Sequence, residues 1–312
     1  MTYGTLNRPP NVPCDDASEQ KSLEPHVNNE SDGEALVNSS LFPEQELDAL
    51  LAQLYDGTPD QLGESYSGKY KDKSWKVYIG DSLEALRLIE SGTVDCVVTS
   101  PPYFWLRDYG IDRQIGLEDS VQTYVQNMLN VMREVKRVLK STGILFLNIG
   151  DTYYSGKGKS HGKDRKSTKR RFGLRAVDKS GGMGIGLKPK TIIGIPWRVA
   201  LAMCEDGWIL RSPIIWHRQN SLPESVRDRP RRTYENIFMF VKSKRYYFKK
   251  ESLTRNLEED MWTISARPEK NSIDTAPFPD ELVKRCLDIG CPENGTVLDP
   301  FIRRYEYFGY RY

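Results

Sequence analysis

The sequence lacks the features that mark membrane, secreted and zinc-binding proteins. No apolar run approaches the roughly 18–20 residues that cross a bilayer, so we expect no membrane association. Residues 1–13 have neither the basic start nor the apolar middle of a signal peptide. The five cysteines form no C-x-x-C pair and there are only three histidines. We therefore expect no metal site and a reduced, intracellular protein.

Basic residues are scarce at the N-terminus, where residues 1–64 carry 13 acidic side chains against two basic ones. Since the net charge of the whole chain is +2, the remainder is strongly basic. A basic body with an acidic segment suits a protein that binds a polyanion, although a solubilising tail on an ordinary enzyme gives the same pattern. We expect residues 1–64 to be a largely disordered acidic leader, with one helix between Pro43 and Gly57.

Strands and helices alternate from residue 75 onward. Predicted strands cover 76–79, 94–99, 144–149, 208–216, 237–241 and 296–298, and predicted helices cover 83–89, 124–139, 196–204 and 280–287. The strand at 94–99 is mostly apolar, as in a sheet covered on both faces. The pattern predicts an α/β fold with a mostly parallel sheet and ligands at the carboxyl ends of its strands.

A glycine- and serine-rich segment at 151–190 interrupts this alternation. From Lys157 onward it has 12 basic residues against two acidic ones. A loop of about 40 residues inside a compact domain is normally functional or disordered, and a cationic loop suits contact with phosphates. A solvated insertion or a nuclear-import signal would have the same composition.

The strand at 94–99 leads into Ser100, Pro101, Pro102 and Tyr103. Two consecutive prolines neither extend a strand nor start a normal helix here, so they predict a rigid turn. A serine hydroxyl, a prolyl carbonyl and an aromatic ring at this edge of a sheet can hold a planar nucleobase amine. Two acceptors on the amine hydrogens favour a pyramidal nitrogen with a free lone pair, while Tyr103 stacks on the base. Alone, the four residues are a weak indication, because such turns are common.

Further motifs follow in a fixed order. They are GDSLE (80–84), TSPPY (99–103), IPWRVA (195–200), DGWILR (206–211), IIWHRQN (214–220), LPESVRDRP (222–230), YENIF (234–238), KSKRYYF (242–248), APFP (276–279) and VLDPF (297–301). In this order the chain resembles the β group of DNA amino-methyltransferases over about residues 75–301. The resemblance implies a Rossmann-like fold with circularly permuted motifs. Its catalytic half would cover 75–150 and 191–260, with the basic loop between them, and 261–312 would start the half that binds S-adenosyl-L-methionine (SAM).

The resemblance also implies an activity. Serine at the first catalytic position is typical of cytosine-N4 enzymes, whereas adenine-N6 enzymes usually carry aspartate. The implied reaction is methyl transfer from SAM to N4 of a cytosine flipped out of double-stranded DNA. Ser100 and the Pro101 carbonyl would hold the amine, with Pro102 shaping the turn and Tyr103 stacking on the base.

Two more sets of candidate residues are predicted, a cofactor set that draws on the resemblance and a DNA-binding set that draws on the basic loop and on a second basic region at 218–245. The cofactor set is Asp81, Pro277, Phe278, Pro279, Asp299, Pro300 and Phe301. The DNA-binding set is Lys163, Arg165, Lys169, Arg170, Arg171, Arg218, Asn220, Arg227, Arg229, Arg231 and Lys244. An N-cap of the following helix accounts equally well for Asp81.

The sequence departs from the family after Phe301. Family members continue with a glycine loop, a helix and a strand that ends in an acid for the ribose hydroxyls. Here residues 302–312 offer no such loop and Arg311 stands at the acidic position, so we expect a truncated SAM-binding half.

Several alternatives remain at this stage. The chain could be an adenine-N6 DNA methyltransferase or a catalytically inactive DNA-binding relative. A nicotinamide-dependent dehydrogenase is disfavoured because no Gly-x-Gly-x-x-Gly follows a strand. The location would be the bacterial cytoplasm or nucleoid, or a eukaryotic nucleus. The sequence predicts neither the recognition site nor the oligomeric state.

Overall fold

A computed structural model describes residues 65–70, 73–78, 80–106, 113–154, 187–221, 224, 226–253, 259–265 and 279–301. A hairpin of β1 (Ser65–Tyr70) and β2 (Lys73–Tyr78) precedes the first helix, α1 (Ser82–Arg87). The strands of the main sheet are β3 (Val94–Thr99), β4 (Leu139–Ile149), β5 (Ile209–Gln219), β6 (Tyr234–Val241), β7 (Met261–Ser265) and β8 (Val297–Leu298). The longer helices are α2 (Val121–Val138), α3 (Ile195–Glu205) and α4 (Asp280–Gly290). The helix predicted at 43–57, most of the basic loop and residues 302–312 lie outside the described residues.

The strand order in the main sheet is β7-β5-β6-β4-β3-β8. β3 pairs in parallel with both β4 and β8, and β5 pairs in parallel with β7. β6 is antiparallel to both of its neighbours, β4 and β5. The prediction of a mostly parallel α/β sheet is confirmed. Because β6 runs against the other five strands, it begins at the edge where they end.

Helices cover both faces of the sheet. Alternate residues of a strand point to opposite faces, so Val97 and Leu147 pack with α2 and α3 on one face. Val98 and Phe146 pack with α4 on the other face. All six residues of β3 are buried, as its apolar sequence predicts. The sheet edge is therefore the part of the strands that is left for a ligand.

Asp95, at the start of β3, joins three strands at the amino-terminal edge of the sheet. Its carboxylate accepts two hydrogen bonds from Lys140 Nζ, at 2.7 and 2.8 Å, and one from the Thr296 backbone N–H at 2.9 Å. Lys140 lies in β4, and Thr296 immediately precedes β8. Asp95 itself is only 9% exposed, so its partners are held in a partly desolvated place.

We expect Asp95→Ala to lower the free energy of unfolding by about 1–2 kcal/mol, because a partly buried N–H and an ammonium group both lose their acceptor. Urea denaturation followed by circular dichroism measures the change. Lys140→Ala is the control, and its effect should be smaller because the bond from Thr296 survives. Equal losses in the two variants would contradict this account.

Candidate active site

Polar side chains lie close together at the carboxyl ends of the parallel strands. Ser100 follows β3, Asn148 lies near the end of β4, and Arg218 lies near the end of β5. Glu235 belongs to this edge because β6 begins there, and Asp299 follows β8. Five neighbouring strands thus contribute to one group of residues at the carboxyl edge, where α/β folds bind their ligands.

The turn at Ser100–Tyr103 is braced from outside. The Pro102 carbonyl accepts a hydrogen bond of 2.9 Å from the Tyr124 hydroxyl on α2. The Trp105 backbone N–H donates to the Gly116 carbonyl at 2.6 Å. Gly116 has φ +104°, and a Cβ at this residue would lie 3.1 Å from the Tyr103 carbonyl oxygen. A glycine at 116 therefore lets the neighbouring loop close tightly over the turn.

The Tyr103 side chain is fixed at both its ring and its hydroxyl. The ring packs so closely on Gly150 that a Cβ there would be 2.5 Å from Tyr103 Cε2. The hydroxyl donates to Glu235 Oε2 at 2.6 Å and accepts from Asn148 Nδ2 at 3.0 Å and Ser100 Oγ at 3.3 Å. Burial, together with the nearby Glu235, holds the pKa of Tyr103 well above its usual range. The phenol therefore stays protonated and remains a donor to Glu235.

Asn148, Glu235 and Arg218 form a row across three adjacent strands. Asn148 pairs with Ile237, and Glu235 pairs with Trp216, so alternation places all three polar side chains on the same face. Arg218 Nη1 lies 3.0 Å from Glu235 Oε1, and Arg218 Nη2 donates to the Arg232 carbonyl at 3.2 Å. Asn148 is only 3% exposed, and its Nδ2 also donates to Glu235 Oε2 at 3.3 Å.

Sequence reasoning missed Asn148 and Glu235. Both carry an indication that could have found them. Asn148 is the one polar residue in the apolar run 144–149, and Glu235 is the second residue of β6, on the same face as the buried Ile237. A buried polar residue that needs a partner is more informative than an exposed hydrophobic one.

Asp299, Pro300 and Phe301 lie beside the Ser100 turn because β8 is the parallel neighbour of β3. Asp299 Oδ1 accepts from Thr99 Oγ1 at 2.5 Å and from the Phe301 backbone N–H at 3.0 Å. Phe301 is buried. The structure thus brings these three predicted cofactor residues together with the predicted catalytic turn.

The other predicted cofactor residues are placed differently. Asp81 is the N-cap of α1, since its Oδ1 accepts from the backbone N–H groups of Leu83 and Glu84 at 2.9 and 3.2 Å. The N-cap interpretation is therefore confirmed. Pro279 directly precedes α4, and Pro277 and Phe278 lie outside the described residues.

Asp151 is a further carboxylate near the site, and it caps α3. Its oxygens accept from the backbone N–H groups of Thr152 at 2.8 Å and of Gly194 and Ile195 at 3.0–3.1 Å. Burial raises the pKa of Asp151, while these N–H donors act in the opposite direction. Asp151 thereby ties the end of β4 to the start of α3.

The predicted DNA-binding residues separate into groups. Arg227, Arg231 and Asn220 are exposed in the connection from β5 to β6, at the edge that holds Ser100. In the same connection Arg229 Cζ stacks 4.0 Å from the centroid of the Tyr153 ring. Arg218 differs from these, because its guanidinium is committed to Glu235. The loop residues Lys163, Arg165, Lys169, Arg170 and Arg171 lie outside the described residues.

Lys244 is not brought to the site. It follows β6, and since β6 is antiparallel its end lies at the opposite edge of the sheet from Ser100. This placement separates Lys244 from the other predicted DNA-binding residues that the structure describes. The physical reason is the direction of β6, which sends the residues before and after the strand to different edges.

Two further observations concern the described residues as a group. Among them, no three His, Cys, Asp or Glu side chains are arranged to hold a metal ion. Within the same ranges, every helix is too short or too polar to pass through a bilayer.

The sheet, its helical layers and the polar residues at its carboxyl edge are those of an α/β methyltransferase. The chain belongs to the DNA methylase family of N6 and N4 methyltransferases, whose model matches residues 94–302. The type II methyltransferase M.Cfr9I of Citrobacter freundii is 42% identical over 232 residues, which cover 72% of this chain and 75% of that protein. M.SmaI of Serratia marcescens is 42% identical over 238 residues, covering 73% and 80% respectively.

A solved structure also resembles the fold. The PvuII DNA methyltransferase (cytosine-N4-specific) superimposes with a TM-score of 0.52 at 19% identity, over 71% of this chain and 72% of that chain. This likeness confirms the predicted methyltransferase fold.

Proposed function

We propose that this DNA methyltransferase transfers a methyl group from SAM to the exocyclic N4 of a cytosine in double-stranded DNA. The observation that carries the proposal is the placement of Ser100. Its hydroxyl lies 3.3 Å from the Tyr103 hydroxyl, at the end of the strand that neighbours Asp299. A serine here is typical of cytosine-N4 enzymes in the family that the sequence resembles, and the PvuII enzyme of similar fold carries the same specificity in its name.

The turn supplies acceptors for an amine. The lone pair of a cytosine amino group is delocalised into the ring, so the nitrogen needs help to become a nucleophile. Ser100 Oγ would accept one N–H and the Pro101 carbonyl the other, and the Pro102 carbonyl accepts a hydrogen bond from Tyr124 that holds the turn. Holding the amine in a fixed place also removes much of the entropic cost of the reaction.

Tyr103 offers a stacking surface for the flipped base. Its ring cannot move toward Gly150, and its hydroxyl is held by three polar neighbours. Stacking on an aromatic side chain contributes about 1–3 kcal/mol per base. A ring that is already immobilised loses little further freedom when the base arrives.

The described residues fit a cofactor site beside this turn. Asp299, Pro300 and Phe301 would hold SAM, and the bond between Thr99 and Asp299 fixes their distance from Ser100. When bound, SAM supplies an electrophilic methyl group. Phe301, which is buried against the core that also contains Phe104, keeps water from this side of the site.

The basic connection between β5 and β6 would contact DNA phosphates next to the flipped base. Arg227 and Arg231 are exposed at the same edge as Ser100, and such contacts position DNA without reading its sequence. The arginines and lysines of the 163–171 segment would extend this contact.

The methylated nucleoside that the protein forms distinguishes cytosine-N4 from adenine-N6 methylation. Unmethylated plasmid DNA is incubated with the protein and SAM, digested to nucleosides and analysed by mass spectrometry. N4-methyldeoxycytidine is the expected product, and Ser100→Ala should form it about a hundredfold or more slowly. N6-methyldeoxyadenosine instead would establish the adenine alternative, and unmodified DNA from a protein that binds it would establish an inactive relative.

A further inference from the structure

We propose that Glu235 is a positioning residue that orients the Ser100 hydroxyl, through Tyr103, so that it accepts a hydrogen bond from the substrate amine. This inference rests on the proposed function, in which Ser100 holds that amine. A serine hydroxyl can either donate its single hydrogen or accept. To hold an amine N–H it must accept, and its own hydrogen must therefore point elsewhere.

The hydrogen bonds around Tyr103 run in one direction. The phenol also has a single hydrogen, and the 2.6 Å bond to Glu235 Oε2 uses it. Toward its other neighbours the phenol oxygen can only accept, and it does so from Asn148 Nδ2 at 3.0 Å and from Ser100 Oγ at 3.3 Å. The chain of donors runs from Ser100 to Tyr103 to Glu235, which leaves the Ser100 lone pairs for the substrate.

Glu235 lies at the acceptor end of this chain of hydrogen bonds and fixes its direction, because a carboxylate accepts hydrogen bonds and never donates them. Its second oxygen, Oε1, is engaged by Arg218 Nη1 at 3.0 Å. The side chains of Arg218 and Glu235 are only 21% and 11% exposed, so solvent competes weakly for these bonds. Asn148 cannot reverse the direction of these hydrogen bonds either, because its Nδ2 can only donate. It donates to both the phenol oxygen and Glu235 Oε2.

Glutamine at position 235 would reverse the polarity while keeping the shape. Arg218 requires an acceptor at the Oε1 position, so the glutamine carbonyl would face Arg218 and the amide N–H group would face Tyr103. The phenol oxygen would then accept from residue 235 and Asn148, and the phenol hydrogen would turn toward Ser100. The hydrogen of Ser100, no longer accepted by Tyr103, would point toward the substrate amine in place of a lone pair. The substrate amine would lose one of its two acceptors.

A double-mutant cycle tests the coupling. Steady-state methylation is measured for the wild type, Glu235→Gln, Tyr103→Phe and the double variant, with kcat separated from KM for DNA and with thermal denaturation of each. We expect each single variant to lower kcat about tenfold, which is the effect of about 1.4 kcal/mol, with KM for DNA nearly unchanged. The double variant should be no slower than the worse single variant, because residues that act through one contact are not additive.

A different outcome would overturn the inference. If Glu235 only braces the strands, the losses of kcat will multiply in the double variant, or Glu235→Gln will lower thermal stability and leave kcat unchanged. Should Glu235→Gln not fold, full kcat in Tyr103→Phe overturns it equally. Glu134→Gln is the matched control, because Glu134 pairs with Arg137 on α2 and its loss should leave kcat unchanged.

Failure of the proposed function gives a distinct result. If Ser100→Ala keeps the wild-type kcat, Ser100 does not hold the amine and the proposal of the preceding section falls. If Ser100→Ala is inactive while Glu235→Gln and Tyr103→Phe are fully active, only the inference about Glu235 falls.

Discussion

Ser100→Ala is expected to lower methyl transfer about a hundredfold or more, while its affinity for DNA changes by no more than about twofold. Loss of one hydrogen-bond partner at a reacting group typically costs a factor of about 10²–10³ in rate. DNA affinity should survive because it comes mainly from contacts with phosphates. Incorporation of tritiated methyl groups into DNA measures the first quantity, and fluorescence anisotropy with labelled duplex measures the second.

The fold should tolerate this change. Among the described residues, the Ser100 hydroxyl makes one hydrogen bond, the 3.3 Å contact with Tyr103. Ser74→Ala, at an exposed position of β2, is the matched control and should keep full activity. Wild-type methyl incorporation by Ser100→Ala would remove Ser100 from the chemistry.

Gly150→Ala is expected to reduce activity about a hundredfold through the position of Tyr103. A Cβ at residue 150 would lie 2.5 Å from Tyr103 Cε2 and 2.8 Å from Cδ2. The ring must therefore move by about 1 Å, and a displacement of that size in a catalytic site can cost about a hundredfold in rate. The tritium assay measures the loss.

Gly92→Ala separates this effect from a general loss of stability. Gly92 has φ +71°, and a Cβ added at this residue would have no atom within 4 Å, so alanine meets backbone strain but no clash. It precedes β3, at the edge of the sheet away from Ser100. We expect it to lower stability by about 1 kcal/mol with little change in kcat. Equal losses of kcat in the two variants would contradict the role of the Tyr103 contact.

Hydrophobic periodicity predicted most of the fold. The strand at 94–99 was predicted with its observed bounds, and α2 was predicted within three residues at its start and one at its end. The hairpin strand β1 and the strand β7 were missed. β7 is only five residues long, and exposed and buried residues alternate along it, so it offers no long apolar run to mark it.

The direction of β6 could not be predicted from the order of elements. Alternation of strands and helices favours parallel neighbours, but the described residues between β5 and β6 form no helix, and β6 turns back beside β5. For this reason the sequence groups Lys244 with basic residues from which the fold separates it. It is close to the other basic residues along the chain, but the length of β6 separates it from them in space.

The predicted catalytic turn follows from local chemistry, whereas the residues that support it could not be predicted. Ser100 to Tyr103 are consecutive, so their residue types alone suggest a use. Asn148, Arg218 and Glu235 come from three strands, and only the register of the sheet places them around one phenol. Such registers depend on tertiary packing of side chains, which a single sequence does not reveal.

The bond between Thr99 and Asp299 has a consequence for biosynthesis. The two residues are 200 positions apart in the chain. The strand β3 therefore leaves the ribosome long before β8, which pairs with it. Contacts of such long range form late and slow the acquisition of the native state. A nascent chain would therefore gain the ability to methylate only after β8 has emerged and paired with β3. Premature termination upstream of residue 297 would yield a protein that lacks Asp299, Pro300 and Phe301, the proposed cofactor side of the site.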